Sequence, residues 1–307
     1  MNWDWRTLPP AALFAVLALL WGGSFVWIEL GLDYFPPLSF AALRYDVAGL
    51  LVVAYAATTV ERWRPRGREW LSVGAAALFV FAGYHGLLFL GVEHVSGAVA
   101  ATLIGLNPVL TVGFSAVVLR SESLDLTRVA GVLFGFLGVA VVAGISPSGF
   151  VGTDVAGVLL VLAGAASFAF GSVLSRPLAT DLPTRTTQGW AMLGGAAVLH
   201  VGGWFRGESV SDVAWTAESI AAFAYLTLLA GAVAYLVYFH LLDVVGPTEL
   251  NLVGYVEPLV AAGVAWAVLG EVVAPRTVVG FACILVGFAV VKRAELRRLA
   301  DRATAGV

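Results

Sequence analysis

The chain has 307 residues, 60% of them hydrophobic and 12% charged, with a formal net charge of −3 and a mean hydropathy of +0.92. A water-soluble domain of this length cannot hide so much apolar surface, which excludes a soluble enzyme and makes lipid the solvent. The basic residues fall in short tracts beside apolar runs, which argues against nucleic acid as a partner, and a single cysteine, Cys283, excludes an intrachain disulfide or a cysteine metal cluster.

A bilayer core about 30 Å thick needs about 20 apolar helical residues. The first such run, 8–31, opens on Pro9 and Pro10, which suit the first turn of a helix. It is too long for a signal-peptide core and lacks a small-residue cleavage site, so it is expected to be retained. Further spans are predicted near 37–60, 70–91, 95–119 and 126–145, then 154–175, 185–205, 218–242, 246–269 and 275–292. These runs are continuous and about twice the length of a barrel strand. The predicted fold is therefore an all-α membrane protein of ten transmembrane helices, with the bilayer as its first partner.

Lysine and arginine in the connections set orientation, because cytoplasmic loops retain them. With the N-terminus inside, fourteen fall on the inner side (Arg6, Arg62, Arg64, Arg66, Arg68, Arg120, Arg128, Arg176, Arg185, Lys292, Arg293, Arg297, Arg298 and Arg302) and two, Arg206 and Arg276, on the outer side. Arg44 falls within a span. Both termini are expected in the cytoplasm.

The chain also repeats itself. Glu122, Gly131 and Gly138 recur with the same spacing as Glu271, Gly280 and Gly287, Asn107-Pro108 corresponds to Glu257-Pro258, and Ser24-Phe25 to Ser167-Phe168, at offsets of 143 to 150 residues. Two halves of five spans each, an odd number, must sit upside down relative to one another. That is the inverted repeat of many secondary transporters, whose substrate site lies near the midplane between the halves. The expected organisation is a first repeat at 8–145, a second at 154–292 and a basic cytoplasmic tail at 293–307.

Trp21-Gly22-Gly23-Ser24-Phe25, followed by Phe35-Pro36-Pro37-Leu38-Ser39-Phe40-Ala41-Ala42-Leu43-Arg44-Tyr45, resembles the opening of the EamA-like branch of the drug/metabolite transporter superfamily. The resemblance continues through Leu106-Asn107-Pro108 with Glu122, and through Tyr255-Val256-Glu257-Pro258 with Leu269-Gly270-Glu271, so it covers both halves. It implies a multi-pass carrier in the cell membrane that exports or imports small metabolites or drugs by alternating access, without a cofactor and with helices 5 and 10 peripheral. Glu29, Asp46 and His85 depart from the general pattern.

An ionisable side chain at the bilayer centre costs roughly 2.5–3.5 kcal/mol on insertion scales, so each is a functional candidate. Glu257 precedes Pro258, whose missing N–H frees a carbonyl in the preceding turn. A carboxylate there binds a proton or a substrate amine, or else hydrogen-bonds a neighbouring helix. Asn107, before Pro108, stands at the corresponding depth, so Pro108 and Pro258 are expected to break the helix on both sides of the pseudo-symmetry axis.

Arg44, about seven residues below the outer surface, either snorkels or meets a carboxylate or an anionic substrate. Asp46 lies about 200° further round the helix and needs a partner elsewhere. His85, in the outer third of helix 3, is a proton relay or a packing residue. Trp21, Tyr84, Trp190, Tyr235, Tyr238, Tyr255 and Trp266 either line a cavity for aromatic or amphipathic solutes or pack and anchor. Gly131-xxx-Gly135 speaks for close helix packing, within the chain or in a homodimer.

Other membrane functions need residues that are missing. No HExxH motif is present, and Tyr45-Asp46 lacks the second element of an aspartyl-protease dyad. The sole lysine, Lys292, sits at a helix end, which excludes a retinal Schiff base. Without a Walker A loop, uphill movement must draw on an ion gradient, with Glu257 or His85 as the proton site. An uncoupled facilitator or channel is the alternative. With Arg44 as the only cation within a span, amino acids, their derivatives or hydrophobic amines fit better than sugar phosphates.

Overall fold

The computed structural model describes residues 8–119, 126–146, 149–150, 154–246, 250, 252–291 and 293. Glu122, Lys292 and the tail beyond Arg293 lie outside these residues. The regular structure of the described part is helical apart from a two-residue antiparallel pairing of Ile145–Ser146 with Gly149–Phe150. The helices are α1 (Pro10–Leu32), α2 (Pro37–Thr59), α3 (Glu69–Val92), α4 (Gly97–Val118), α5 (Leu126–Val142), α6 (Val155–Leu174), α7 (Thr184–Phe205), α8 (Ala217–Val244), α9 (Val253–Leu269) and α10 (Pro275–Val291). Six of them, α1, α2, α3, α4, α6 and α8, are long and apolar enough to cross a membrane.

Local chemistry explains the helix ends. Prolines open α1, α2 and α10, where the missing N–H has no intrahelical partner to lose. The Asp154 carboxylate accepts from the N–H groups of Ala156 (2.8 Å) and Gly157 (3.4 Å) at the start of α6. Thr216 and Ser219 form a capping box on α8. Gly270 ends α9 at φ +68°, a left-handed position that glycine adopts at little cost.

Helices of one half pack mainly on those of the other. α5 lies on α10, α2 on α7, α1 on α8 and α9, and α6 on α3 and α4. This set of pairings is unchanged when the halves are exchanged. Within the α5/α10 pair, a Cβ added to Gly131 would stand 2.7 Å from the Gly287 carbonyl oxygen, and one on Gly138 2.5 Å from that of Gly280. Rising numbers on one helix meet falling numbers on the other, so the two run antiparallel. Gly49 against Met192 and Leu193, and Gly189 against Val53, give α2 and α7 the same antiparallel sense. The Gly131-xxx-Gly135 pair is used within the chain, since Gly135 faces Leu106 and Val109 of α4.

Two helices carry a wider π winding at their centres, Ala76–Gly83 in α3 and Tyr225–Val233 in α8. Their starts are 149 residues apart, which matches the spacing of the repeated Glu and Gly residues. α4 is interrupted at Gly105 and Leu106, so that Pro108 stands in the first turn of its second segment, Asn107–Val118. Pro258 behaves differently from the expectation. It is the sixth residue of the continuous segment Val253–Leu269. The Gly254 carbonyl loses its partner there, but the surrounding turns keep their bonds, so the helix is not broken at Pro258.

Candidate functional site

The centre of the bundle collects polar side chains from both halves. Arg44 of α2 is only 4% exposed. Snorkelling is therefore not its role: the side chain lies inside, with its guanidinium 4.5 Å from the Tyr45 ring centroid and 5.5 Å from that of Phe89. Its Nη2 donates to the Tyr45 hydroxyl (3.0 Å), and that hydroxyl meets His85 Nε2 of α3 at 2.6 Å. His85 Nδ1 stands 3.3 Å from the Phe81 carbonyl oxygen, one turn back.

Arg44 forms no ion pair among the described residues, and its Nε and Nη1 have no protein partner. A buried guanidinium without a counter-charge is costly, because desolvation removes water that nothing replaces.

Around this trio stand Tyr84, whose ring lies 4.4 Å from His85, and the second-half residues Tyr235, Tyr238 and Glu257. Tyr84 is within electrostatic range of both Arg44 and Glu257, and Tyr235 of Arg44, Tyr45 and Tyr84. Trp21 of α1 packs its ring 5.5 Å from both Tyr235 and Tyr238. Trp21, Tyr84, His85, Tyr235 and Glu257 all keep some accessible surface although they are deep among helices.

The π windings are tied to this centre. A π turn shifts the i→i+4 register and leaves a carbonyl open to an outside donor. In α3 the Phe79 carbonyl accepts from Ser167 Oγ of α6 at 2.8 Å. In α8 the Ala230 carbonyl accepts from Trp21 Nε1 of α1 at 3.2 Å, while the Tyr225 hydroxyl reaches back to the carbonyls of Leu19 and Leu20. Each half thus donates from its first helix into the wound centre of the other half's third helix.

Not every expected residue joins the cluster. Asn107 is half-buried with Oδ1 unpartnered, and the Tyr255 hydroxyl is likewise unpartnered while its ring packs 4.1 Å from Phe288 of α10. Trp190 sits at one end of the bundle, donating to the Trp63 carbonyl at 2.9 Å, and Trp266 is 67% exposed on the outside. Neither lines the centre. Asp46 pairs with His200 of α7 at 2.7 Å, away from Arg44.

The sequence reading missed Tyr45 as the link between Arg44 and His85. Adjacent helical residues do not face each other, and only the length of the arginine side chain lets it fold back onto its neighbour. Among the described residues, no group of three His, Cys, Asp or Glu side chains is placed to hold a metal.

Two cavities lie at the ends of the bundle. One, of roughly 250 Å³, is lined by His94, Asp154, Glu271 and Arg276 among others. The N–H of Gly157, with help from that of Ala156 and from His94, holds the Asp154 carboxyl below its usual range. The other, of roughly 270 Å³, lies at the opposite end between α2, α7 and α8, lined by Tyr55, Arg185, Phe239, His240 and Asp243. Phe239 also packs on Tyr235 and Tyr238, so this cavity borders the central aromatic cluster.

The model of the EamA-like transporter family matches the chain twice, over residues 9–144 and 155–293. The chain belongs to the EamA-like transporter family. Among its relatives are an uncharacterized transporter of Bacillus subtilis, YvbV, 30% identical over 82% of this chain and 81% of that protein, and an uncharacterized inner membrane transporter of Escherichia coli K12, YedA, 28% identical over 85% and 82%. A solved crystal structure of a protein is 25% identical, covers 94% of this chain and 98% of its own, and superposes with a TM-score of 0.64. The EamA-like family and these relatives are transporters, not enzymes. The chain is accordingly a multi-pass integral membrane transporter, with the bilayer and a small-molecule substrate as its partners.

Proposed function

We propose that the protein is a secondary-active exporter of a small amphipathic metabolite or drug-like solute, working by alternating access of two inverted five-helix halves with both termini in the cytoplasm. The solute site is the central cluster of Arg44, Tyr84, His85, Tyr235 and Glu257, walled by Trp21 and Tyr238. The observation that carries this reading is the unpaired, buried Arg44 guanidinium, within range of residues from both halves. A structural arginine would have its donors filled, whereas a binding arginine keeps some free for a passing ligand.

Inversion of the halves is supported by the antiparallel course of the equivalent pairs α2/α7 and α5/α10, by the matched π windings and by the double family match. It requires α5, α7, α9 and α10 to cross the membrane together with the six longer helices, giving ten spans. The cavity bordering Tyr235 and Tyr238 lies at the arginine-rich end of the bundle, which suits loading from the cytoplasm. Glu257 serves as the proton site: it takes up a proton from one side and releases it on the other as the halves move. Asn107 and Tyr255 supply neutral hydrogen-bonding groups near the pseudo-symmetry axis.

The test is flux in proteoliposomes loaded with a mixture of amino acids and hydrophobic amines, with and without a pH gradient. Gradient-driven flux is expected in the wild type and lost in Glu257→Gln, with counterflow retained in the variant. Equal gradient-driven flux in both proteins would remove Glu257 as the coupling group. Flux that neither saturates nor shows counterflow would make the protein an uncoupled channel.

A further inference from the structure

Between α2 and α3, the ends of two candidate membrane spans, the chain carries Glu61-Arg62-Trp63-Arg64-Pro65-Arg66-Gly67-Arg68-Glu69-Trp70. A connection with four arginines would ordinarily be left to fluctuate. Here it is held in one shape.

Thr186 Oγ1 of α7 donates to the Arg62 carbonyl (3.0 Å) and Trp190 Nε1 to that of Trp63 (2.9 Å). The Glu69 carboxylate accepts from the Arg66 backbone N–H at 2.8 Å and from the Arg62 guanidinium. Pro65 is buried, and Gly67 turns the chain at φ +51°. Trp70 stacks edge-on against Trp190 with centroids 5.5 Å apart and is itself 47% exposed.

This arrangement sorts the charges. Glu69 consumes Arg62. Arg64 lies over the Trp63 ring at 4.1 Å, and Arg66 and Arg68 are exposed with guanidiniums that make no ion pair among the described residues. The exposed carboxylate of Glu61 offsets one of these three, leaving a net excess of cation on a rigid, tryptophan-edged platform at the level where the two spans leave the membrane.

We propose that this loop is a binding site for anionic phospholipid headgroups, with Arg64, Arg66 and Arg68 on the phosphates and Trp63 and Trp70 in the interface. Indole rings settle at headgroup depth, and guanidinium forks match phosphate oxygens. Because α7 of the second half clamps a loop of the first, headgroup binding also braces the contact between the halves at this end.

The experiment uses the full-length protein in nanodiscs of mixed phosphatidylglycerol and phosphatidylcholine, released for native mass spectrometry, with retained lipids counted. The wild type is expected to retain phosphatidylglycerol preferentially. A basic residue near an anionic surface is worth about 1 kcal/mol, or about fivefold in affinity, so Arg66→Gln and Arg68→Gln should each lower that preference about fivefold. The triple Gln variant should abolish it, whereas the triple Lys variant should retain most of it.

Arg66 and Arg68 hold nothing in place through their side chains, so the single variants should fold even if the triple does not. Thermal melting of each checks this. Millimolar inorganic phosphate should not remove the preference, and its removal by phosphate would point to free anion as the occupant and overturn the lipid assignment. Equal retention of the two lipids by the wild type, or an unchanged preference in both single variants, would also overturn the proposal.

Discussion

The two halves of this transporter are alike where they hold on to each other and unlike at the centre of the bundle. At the α5/α10 contact the solution is reciprocal, Gly131 against Gly287 and Gly138 against Gly280, each Cα apposed to the other's carbonyl. At the centre the shared device is the π winding, but the donors differ: a serine hydroxyl from α6 enters α3 and an indole N–H from α1 enters α8. The ionisable groups are not shared at all. Residues 187–194, which stand 143 to 150 positions after Arg44, contain no charge. Residues 228–235 contain no histidine to match His85, and residues 107–114 no carboxylate, the neutral Asn107 standing in the place of Glu257. The first half supplies cation and imidazole and the second supplies the carboxylate, while the aromatic side chains come from both, Trp21 and Tyr84 from the first and Tyr235 and Tyr238 from the second. Repeated packing thus builds a symmetric frame around an asymmetric centre, which under the proposed function suits a solute with distinct ends.

The comparison can be broken most strongly at the frame. Gly138→Leu would drive a side chain into the Gly280 carbonyl, and because that backbone cannot give way the helices must part. Overpacking by extra methylenes costs about 1–3 kcal/mol even where side chains can shift to absorb it in a well-packed core, so loss of the monodisperse peak in size-exclusion chromatography is expected. Gly287→Leu should be equally damaging, and a mild phenotype in one alone would show that the contact is less reciprocal than the distances indicate.

The centre is probed more gently by Ser167→Ala and Trp21→Phe, each of which removes the donor to one π carbonyl. A hydrogen bond is worth about 1 kcal/mol net, so both should lower the thermal midpoint modestly. Trp21→Phe should also reduce flux, because its ring packs on Tyr235 and Tyr238, whereas Ser167→Ala should leave flux close to wild type. Equal flux in the two variants would remove Trp21 from the solute wall.

The smallest effect is expected at the end of the bundle, where only one half has the feature. The folded-state pKa of Asp154 is depressed by the N–H groups it caps. Its contribution to stability is therefore present above the ordinary aspartate pKa of about 3.9 and lost as pH falls through the lower folded value. Asp154→Ala should lower the melting midpoint at neutral pH and weaken the further loss between about pH 4 and the most acid point reached. Melting curves across that series check it, and a wild-type acid limb unchanged in the variant would place the acid sensitivity elsewhere.

Much of this molecule could be read along the chain. Helix positions followed from apolar run length to within a few residues wherever the described residues allow the comparison. The four glycines that meet across α5 and α10 were visible as a repeated spacing, because close approach of two backbones leaves no substitute for a missing side chain. Pro108 was rightly expected next to a helix interruption. Pro258 was not, since a single proline removes one hydrogen bond and the neighbouring turns decide whether the helix survives it.

What the sequence by itself determined is the solvent, the helical material and the internal repetition, all of which depend on local composition and period. Tertiary structure decided the rest. Whether Arg44 snorkelled or turned inward, whether Tyr45 joined it to His85, whether Asp46 found His200, and which side chain satisfied each π carbonyl all depend on the rotation of one helix against another. That rotation is set by packing between residues far apart in the chain, from 40 positions for Tyr45 and His85 to 209 for Trp21 and Ala230, and a side chain's reach is too short for any pattern within one helix to fix it.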